Sequence, residues 1–321
     1  MNTTPITFNE KHPSYTVVGG RERLNSSGLS VVLLNRGGRY TRRKLFHDLE
    51  RTGFDMVVSV EPEPIPYDID DLSERFPFVR FVLLHGPVSI GAQINLAVSE
   101  LDTPLFFVLW NDLRIIAGGF ARRMADRLTR SIDDVWRFKR LCTVPILQNT
   151  RFDHLPTVVA PRLRRKKVET YSIFPSLEGL PSLYPFDGVG IYDKARFLQL
   201  GGFDTSFEKN YWQLMDFGFR AYLWGEEISV TQSLKLSYES DVPVEDTTSG
   251  PEYSSFYLKN MAPVFRKDSA QLPQSRFWGY FMNSRSNIFS AWEKFSTCRQ
   301  WVDENKFRWR CDLRTVVKNW K

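Results

Sequence analysis

Cysteine is scarce in this chain of 321 residues. The three present, Cys142, Cys298 and Cys311, form no Cys-x-x-Cys pair and no cluster with the four histidines. So sparse and odd a count excludes a disulfide framework and a zinc site of ordinary spacing, and fits reduced thiols in a cytoplasmic protein. Long apolar runs are also missing, and none approaches the roughly 20 residues that span a bilayer. The opening stretch MNTTPITFNEKHPSYTVVGG has no apolar core of the kind a secretory signal carries, so none is expected. No internal repeat is present. The net charge of +6 suits phosphates or anionic lipid, yet no nucleic-acid-binding motif accompanies it, and nucleic acid is not an expected partner.

Aromatic residues, by contrast, are plentiful, with 25 Phe, 12 Tyr and 9 Trp. They serve pockets, sticky surfaces and cores alike. The stretches LSVVLLN (29–35), FDMVVSV (54–60), FVRFVLL (78–84) and PLFFVLW (104–110) are short continuous apolar runs, as buried parallel strands are. Between them, YTRRKLFHDLERTG (40–53) and IGAQINLAVSEL (90–101) read as helices. This order predicts an α/β fold, a mostly parallel sheet flanked by helices. Ligands in such sheets sit beyond the carboxyl ends of the strands. Asn35, Glu61 and Asp112 fall at three such ends. Further along, 150–182 reads as a long basic loop, 211–225 as a helix, 228–240 as a strand and 241–252 as an acidic loop. The expected organisation is an N-terminal arm (1–27), a main domain (28–267) and a helical, aromatic and basic extension (268–321).

Three stretches resemble the GT-A glycosyltransferases, in particular the family 2 enzymes that use nucleotide-sugar donors. SVVLLNRGG is similar to their opening strand and polar loop. GPVSIGAQINLAVSELDTPLFFVLWND resembles their Gly-x-x-x-Asn helix and the strand that delivers an Asp-x-Asp motif. LGGFDTSFEKNYWQLMDFGFRAYLWG resembles their Gly-Gly-Phe-Asp turn and Glu-Asp-x-Asp-x-x-x-Arg helix. The resemblance runs from about 29 to about 267 and implies a Rossmann-like GT-A fold. It also implies inverting transfer of a sugar from a nucleoside diphosphate donor to a hydroxyl of a glycan or protein. A catalytically inactive relative, which binds a nucleotide sugar or a partner protein without turnover, is the alternative.

The resemblance implies donor contacts at Asn35, Arg36, Glu61, Asn95, Trp110, Asn111 and Asp112. The Asp-x-Asp positions read Trp110-Asn111-Asp112, so only the last carboxylate remains. In the family it reaches the divalent ion, Mg²⁺ or Mn²⁺, that bridges the donor phosphates. Asp112 suits an N-cap of a helix starting near Leu113 equally well. The family's Glu-Asp pair falls on Gln213 and Leu214, and Leu214 cannot take a proton. Asp216 and Asp187 are then the candidate bases, although Asp216 also suits an i, i+4 pair with Arg220. No histidine stands at 236–240, where the family often completes its metal site. The run Arg162, Arg164, Arg165, Lys166 and Lys167 offers either a diphosphate clamp or a solvated face. The C-terminal segment is expected to dock on the domain, pair with a second copy or lie peripherally on a membrane.

Overall fold

The computed structural model describes residues 13–37, 42–66, 68–115, 120–133, 140–164, 167–284 and 286–320. The first half alternates strand and helix: β1 (Tyr15–Gly19), β2 (Leu29–Leu34), α1 (Arg42–Glu50), β3 (Val57–Glu61), α2 (Ile69–Arg75), β4 (Val79–Leu84), α3 (Ile90–Ser99) and β5 (Leu105–Trp110). All six residues of β2 and all six of β5 are buried. Their unbroken apolar sequences therefore lose water on both sheet faces, as interior parallel strands require. There follow β6 (Leu113–Ile115), α4 (Phe120–Asp133), β7 (Arg140–Gln148), β8 (Val158–Arg164), β9 (Lys167–Ile173), β10 (Gly190–Asp193), α5 (Lys194–Leu200), α6 (Asn210–Leu223) and β11 (Glu227–Tyr238). The last part holds α7 (Pro251–Phe256), β12 (Val264–Arg266), β13 (Ser269–Gln271), α8 (Arg276–Ser284), α9 (Ile288–Asn305) and α10 (Leu313–Lys318).

Nine strands form one sheet in the order β1-β4-β3-β2-β5-β10-β7-β11-β6. Six of them, β4, β3, β2, β5, β7 and β11, run in one direction, and β1, β10 and β6 run against them. This is the expected mostly parallel sheet. The carboxyl ends of β2, β3, β5 and β11 consequently share one edge. Because β10 is reversed, its amino end, entered through the Phe186–Gly188 turn, lies at that edge too. Among the described residues, no helix is long and apolar enough to cross a membrane.

Two expectations are corrected. Residues 158–173, read as loop, form the β8–β9 hairpin, with Val158 opposite Ile173 and Arg164 opposite Lys167. Pro161 and the basic run hide its period-two pattern, and the cross-strand pairing restores it. Leu113, read as a helix start, opens the short strand β6, so Asp112 caps no helix there. Strand β1, within 1–27, pairs along β4 from Tyr15–Leu84 to Gly19–Arg80.

Helix α6 is buried on nearly every side. Gly218 makes this possible, because a Cβ there would stand 2.2 Å from the Leu183 carbonyl oxygen. The C-terminal helices pack onto the domain, with Trp301 stacked on Trp224 at 6.1 Å and Trp320 against Tyr222 at 4.8 Å.

Candidate functional site

At the shared strand edge, four elements bring their polar groups together around one guanidinium. Arg36, just past β2, ion-pairs with Asp187 and lies 3.4 Å from Asp112. Its guanidinium carbon sits 3.9 Å from the Trp110 ring centre. The Trp110 indole N–H donates to the Asp187 carbonyl at 2.9 Å. From the end of β11, Tyr238 donates its hydroxyl proton to Asp187 Oδ2 at 3.2 Å, and Ser240, just past the strand, donates to Asp112 Oδ2 at 2.8 Å. Asn111 shapes the loop: its Oδ1 accepts from the Arg36 amide at 3.3 Å and its Nδ2 donates to the Gly37 carbonyl at 3.3 Å. Asp187 holds a left-handed backbone, φ 58° and ψ 17°, a conformation that costs a non-glycine residue about 1–2 kcal/mol. Such strain persists where surrounding contacts enforce it, and these sites are often functional.

Burial sets the electrostatics. Asp112 is 0 % exposed and Asp187 6 %, whereas the Arg36 side chain is 24 % exposed. Arg36 is therefore the charged group of this cluster that a solvent-borne anion meets first. Loss of water raises the Asp187 carboxyl to about 6, against the opposing pull of Arg36 and the Tyr238 hydrogen bond. Glu245 lies beside them, its Oε2 accepting from the Tyr184 hydroxyl at 3.1 Å. Burial raises it to about 7, and the Asp187 charge adds to the rise. Two carboxyls here thus titrate near neutrality, as acid–base chemistry at physiological pH requires. On the neighbouring face of the strand end, Lys44, Asp48, Asn111, Arg114 and Glu239 line a cleft of about 230 Å³. That is below the roughly 300–1,000 Å³ of whole-ligand pockets.

The structure brings Arg36, Trp110, Asn111, Asp112 and Asp187 into one cluster and gives the other candidates different partners. Asn35 bridges β2 to β3, donating to the Val60 carbonyl at 2.7 Å and to Glu61 Oε1 at 3.3 Å. Glu61 is buried and occupied by Ser59 at 2.7 Å and Arg42 at 3.1 Å. Asn95 spends both ends of its amide on the Phe203 backbone, at 2.8 and 2.9 Å, and so fixes the Gly-Gly-Phe-Asp turn. Asp216 lies apart from this cluster, in the core. It is fully buried and closed in by Arg220 at 2.9 Å, Lys259 at 3.0 Å and Asn260 at 2.9 Å. Gln213 ties α3 to α6, accepting from the Gly91 amide at 2.9 Å, and Leu214 is buried in the core. Arg162 pairs with Glu169 at 3.1 Å on the exposed face of the β8–β9 hairpin, while Arg165 and Lys166 lie outside the described residues. Sequence reasoning missed Tyr238, Ser240 and Glu245. The one signal was positional, since 236–240 was the expected place of a metal-site residue, and Ser240 does reach Asp112.

These residues do not fit a divalent ion. Among the described residues no group of three His, Cys, Asp or Glu could hold one. Arg36 already fills the cation position between Asp112 and Asp187. Asp112 Oδ1 has no hydrogen-bond partner, but the residue has no exposed surface from which an ion could bridge to phosphates in solvent.

No family model matches the chain, and no curated protein does. Among solved structures the chain is similar to the crystal structure of GalNAc-T7 with UDP, GalNAc and Mn²⁺, at 10% identity and a TM-score of 0.56. That match covers 90% of this chain and 55% of the other, so the chain spans about half the length of that relative. It is also similar to S. aureus TarS 1–349 in complex with UDP-GlcNAc, at 13% identity and a TM-score of 0.49, over 84% of this chain and 71% of the other. At such identity the GalNAc-T7 likeness establishes the fold, which is GT-A.

Proposed function

We propose that the chain is a family 2-like glycosyltransferase with a degenerate Asp-x-Asp motif. It transfers a sugar, with inversion, from a nucleoside diphosphate donor to a hydroxyl of a glycan or protein. The observation that carries this reading is the Asp112–Arg36–Asp187 cluster at the carboxyl edge of a GT-A sheet, where the fold places ligands. Arg36 meets the diphosphate and stabilises the charge that gathers on it as the glycosidic C–O bond breaks. Asp187, anchored through Oδ2 by Arg36 and Tyr238, takes the proton of the attacking hydroxyl. When the donor draws the guanidinium towards its phosphates, Asp187 loses part of its counter-charge and becomes a stronger base. Asn111 holds the loop that presents Arg36.

We further propose that the protein is cytoplasmic and docks peripherally on an anionic membrane. Trp278, Met282 and Phe289 are exposed along α8 and α9, and exposed Arg276 and Lys294 lie on the same helices. Apolar side chains beside cations suit a headgroup layer.

The test is release of nucleoside diphosphate from a panel of nucleotide sugars in the presence of mixed glycan and peptide acceptors. Wild type should turn over at least one donor, and Asp187→Asn should lose roughly 10²–10⁴-fold in kcat. Donor binding by a folded protein that turns over no donor would instead favour the inactive, ligand-binding alternative, which the buried Leu214 at the family's base position supports.

A further inference from the structure

The geometry points to Arg36 as the built-in cation of the donor site, so that nucleoside diphosphate binding by this chain needs no divalent ion. The inference rests on the donor-site reading above and goes beyond it, since the fold relative GalNAc-T7 was crystallised with Mn²⁺.

Four observations carry it. First, the guanidinium occupies the space between the two carboxylates, touching Asp187 and standing 3.4 Å from Asp112. A metal and a guanidinium cannot share that position. Second, Trp110 stands where a first metal carboxylate would be, and its ring is a platform 3.9 Å beneath the guanidinium. Stacking on an aromatic face suits arginine and does nothing for a metal ion. Third, Arg36 is presented rather than sealed. Its side chain is 24 % exposed while both acid partners are buried. Fourth, the loop is set by Asn111, which grips the backbone on both sides of the side chain, at the Arg36 amide and the Gly37 carbonyl. A planar fork with donors to spare is the side chain that matches phosphate oxygens. Two other basic side chains are engaged elsewhere. Arg162 is paired with Glu169 on the hairpin surface, and Arg42 is held by Glu61 and Asp68.

The experiment is calorimetric titration of the full chain with UDP, GDP, ADP, CDP and dTDP. Each is run in excess EDTA and again with Mn²⁺ or Mg²⁺, on wild type, Arg36→Ala and Arg36→Lys, with folding of each variant checked by its melting transition. The expected result is a nucleotide that binds wild type within about threefold as tightly in EDTA as with metal. Arg36→Ala should weaken it by roughly 10–150-fold, the range of one charge-assisted contact. Arg36→Lys should fall between, because it keeps the charge and loses the fork and the stacking. Binding that appears only with metal overturns the inference and leaves the transferase reading standing. So does metal-independent binding that Arg36→Ala leaves unchanged. Failure of every nucleotide in every buffer defeats the donor-site reading itself, and the inference with it.

Discussion

Replacing Lys259 by Met should destabilise the protein severely, although the residue lies far from the chemistry. Its ammonium contacts Asp204 at 2.6 Å and Asp216 at 3.0 Å, and all three side chains are essentially without exposure. Asp216 in turn orients Arg220, which donates to the carbonyls of Leu200 at 2.5 Å and Gly202 at 2.8 Å. Lys259 and Arg220 together balance the two acids, and the lysine joins the C-terminal part of the chain to the Gly-Gly-Phe-Asp turn. Breaking a buried pair from one side costs about 3–5 kcal/mol. For 321 residues the unfolding entropy near the midpoint is about 0.7 kcal/mol/K, so the loss corresponds to roughly 4–7 °C in Tm. The sign with pH follows from Asp204. Burial raises its pKa, but Lys259 and the Ser206 contacts outweigh burial and leave it below the ordinary value. In wild type its contribution is therefore present above the unfolded carboxylate pKa and is lost as pH falls through the depressed one. Without Lys259, only the Ser206 contacts oppose burial, so Lys259→Met should be least harmful at low pH and more harmful as pH rises. Adding Asp204→Asn should restore part of the loss. Differential scanning fluorimetry and calorimetry from pH 4 to 8 give these values. A shift under 1 °C at pH 7, or no recovery in the double variant, refutes the reasoning.

Other consequences follow from single features. Gly218→Ala must displace the Leu183 carbonyl from a 2.2 Å approach and should cost about 1–3 kcal/mol in thermal or urea melts, whereas Gly279→Ala, with open space around it, should be close to neutral. The acid limb of kcat/KM should lie near pH 6, because burial holds Asp187 there. Activity then rises with pH as the base loses its proton, and a profile flat from pH 5 to 8 contradicts that role. Trp278→Ser with Phe289→Ser, which removes two exposed rings, should cut sedimentation with phosphatidylserine vesicles at least several-fold. Equal sedimentation of wild type and variant, or none of either, opposes membrane docking.

Much of the fold was legible because its signals are local. The runs of β2 and β5 are apolar on both faces, and burial of both faces is what interior parallel strands undergo. The hairpin β8–β9 was not legible, since a proline and a basic run interrupt its alternation and the pairing that stabilises it lies across the turn. The site divides in the same way. Arg36 and Asp112 stand directly after strands, where sequence alone marks them. Tyr238, Ser240 and Glu245 reach the site only through the sheet and the chain beyond it, from 51 residues past Asp187 in the case of Tyr238 and 128 past Asp112 in that of Ser240. The surroundings of Asp216 show the same limit. Its pair with Arg220 is local and could be anticipated, but Lys259 and Asn260, which close it off, lie 43 and 44 residues away.

The most direct test of the donor site is a crystal structure of the chain soaked with the nucleoside diphosphate that binds best. The account predicts phosphate oxygens within about 3 Å of the Arg36 guanidinium, above the Trp110 ring and beside Asp187. Phosphates bound elsewhere, with the Asp112–Arg36–Asp187 cluster undisturbed, would contradict it.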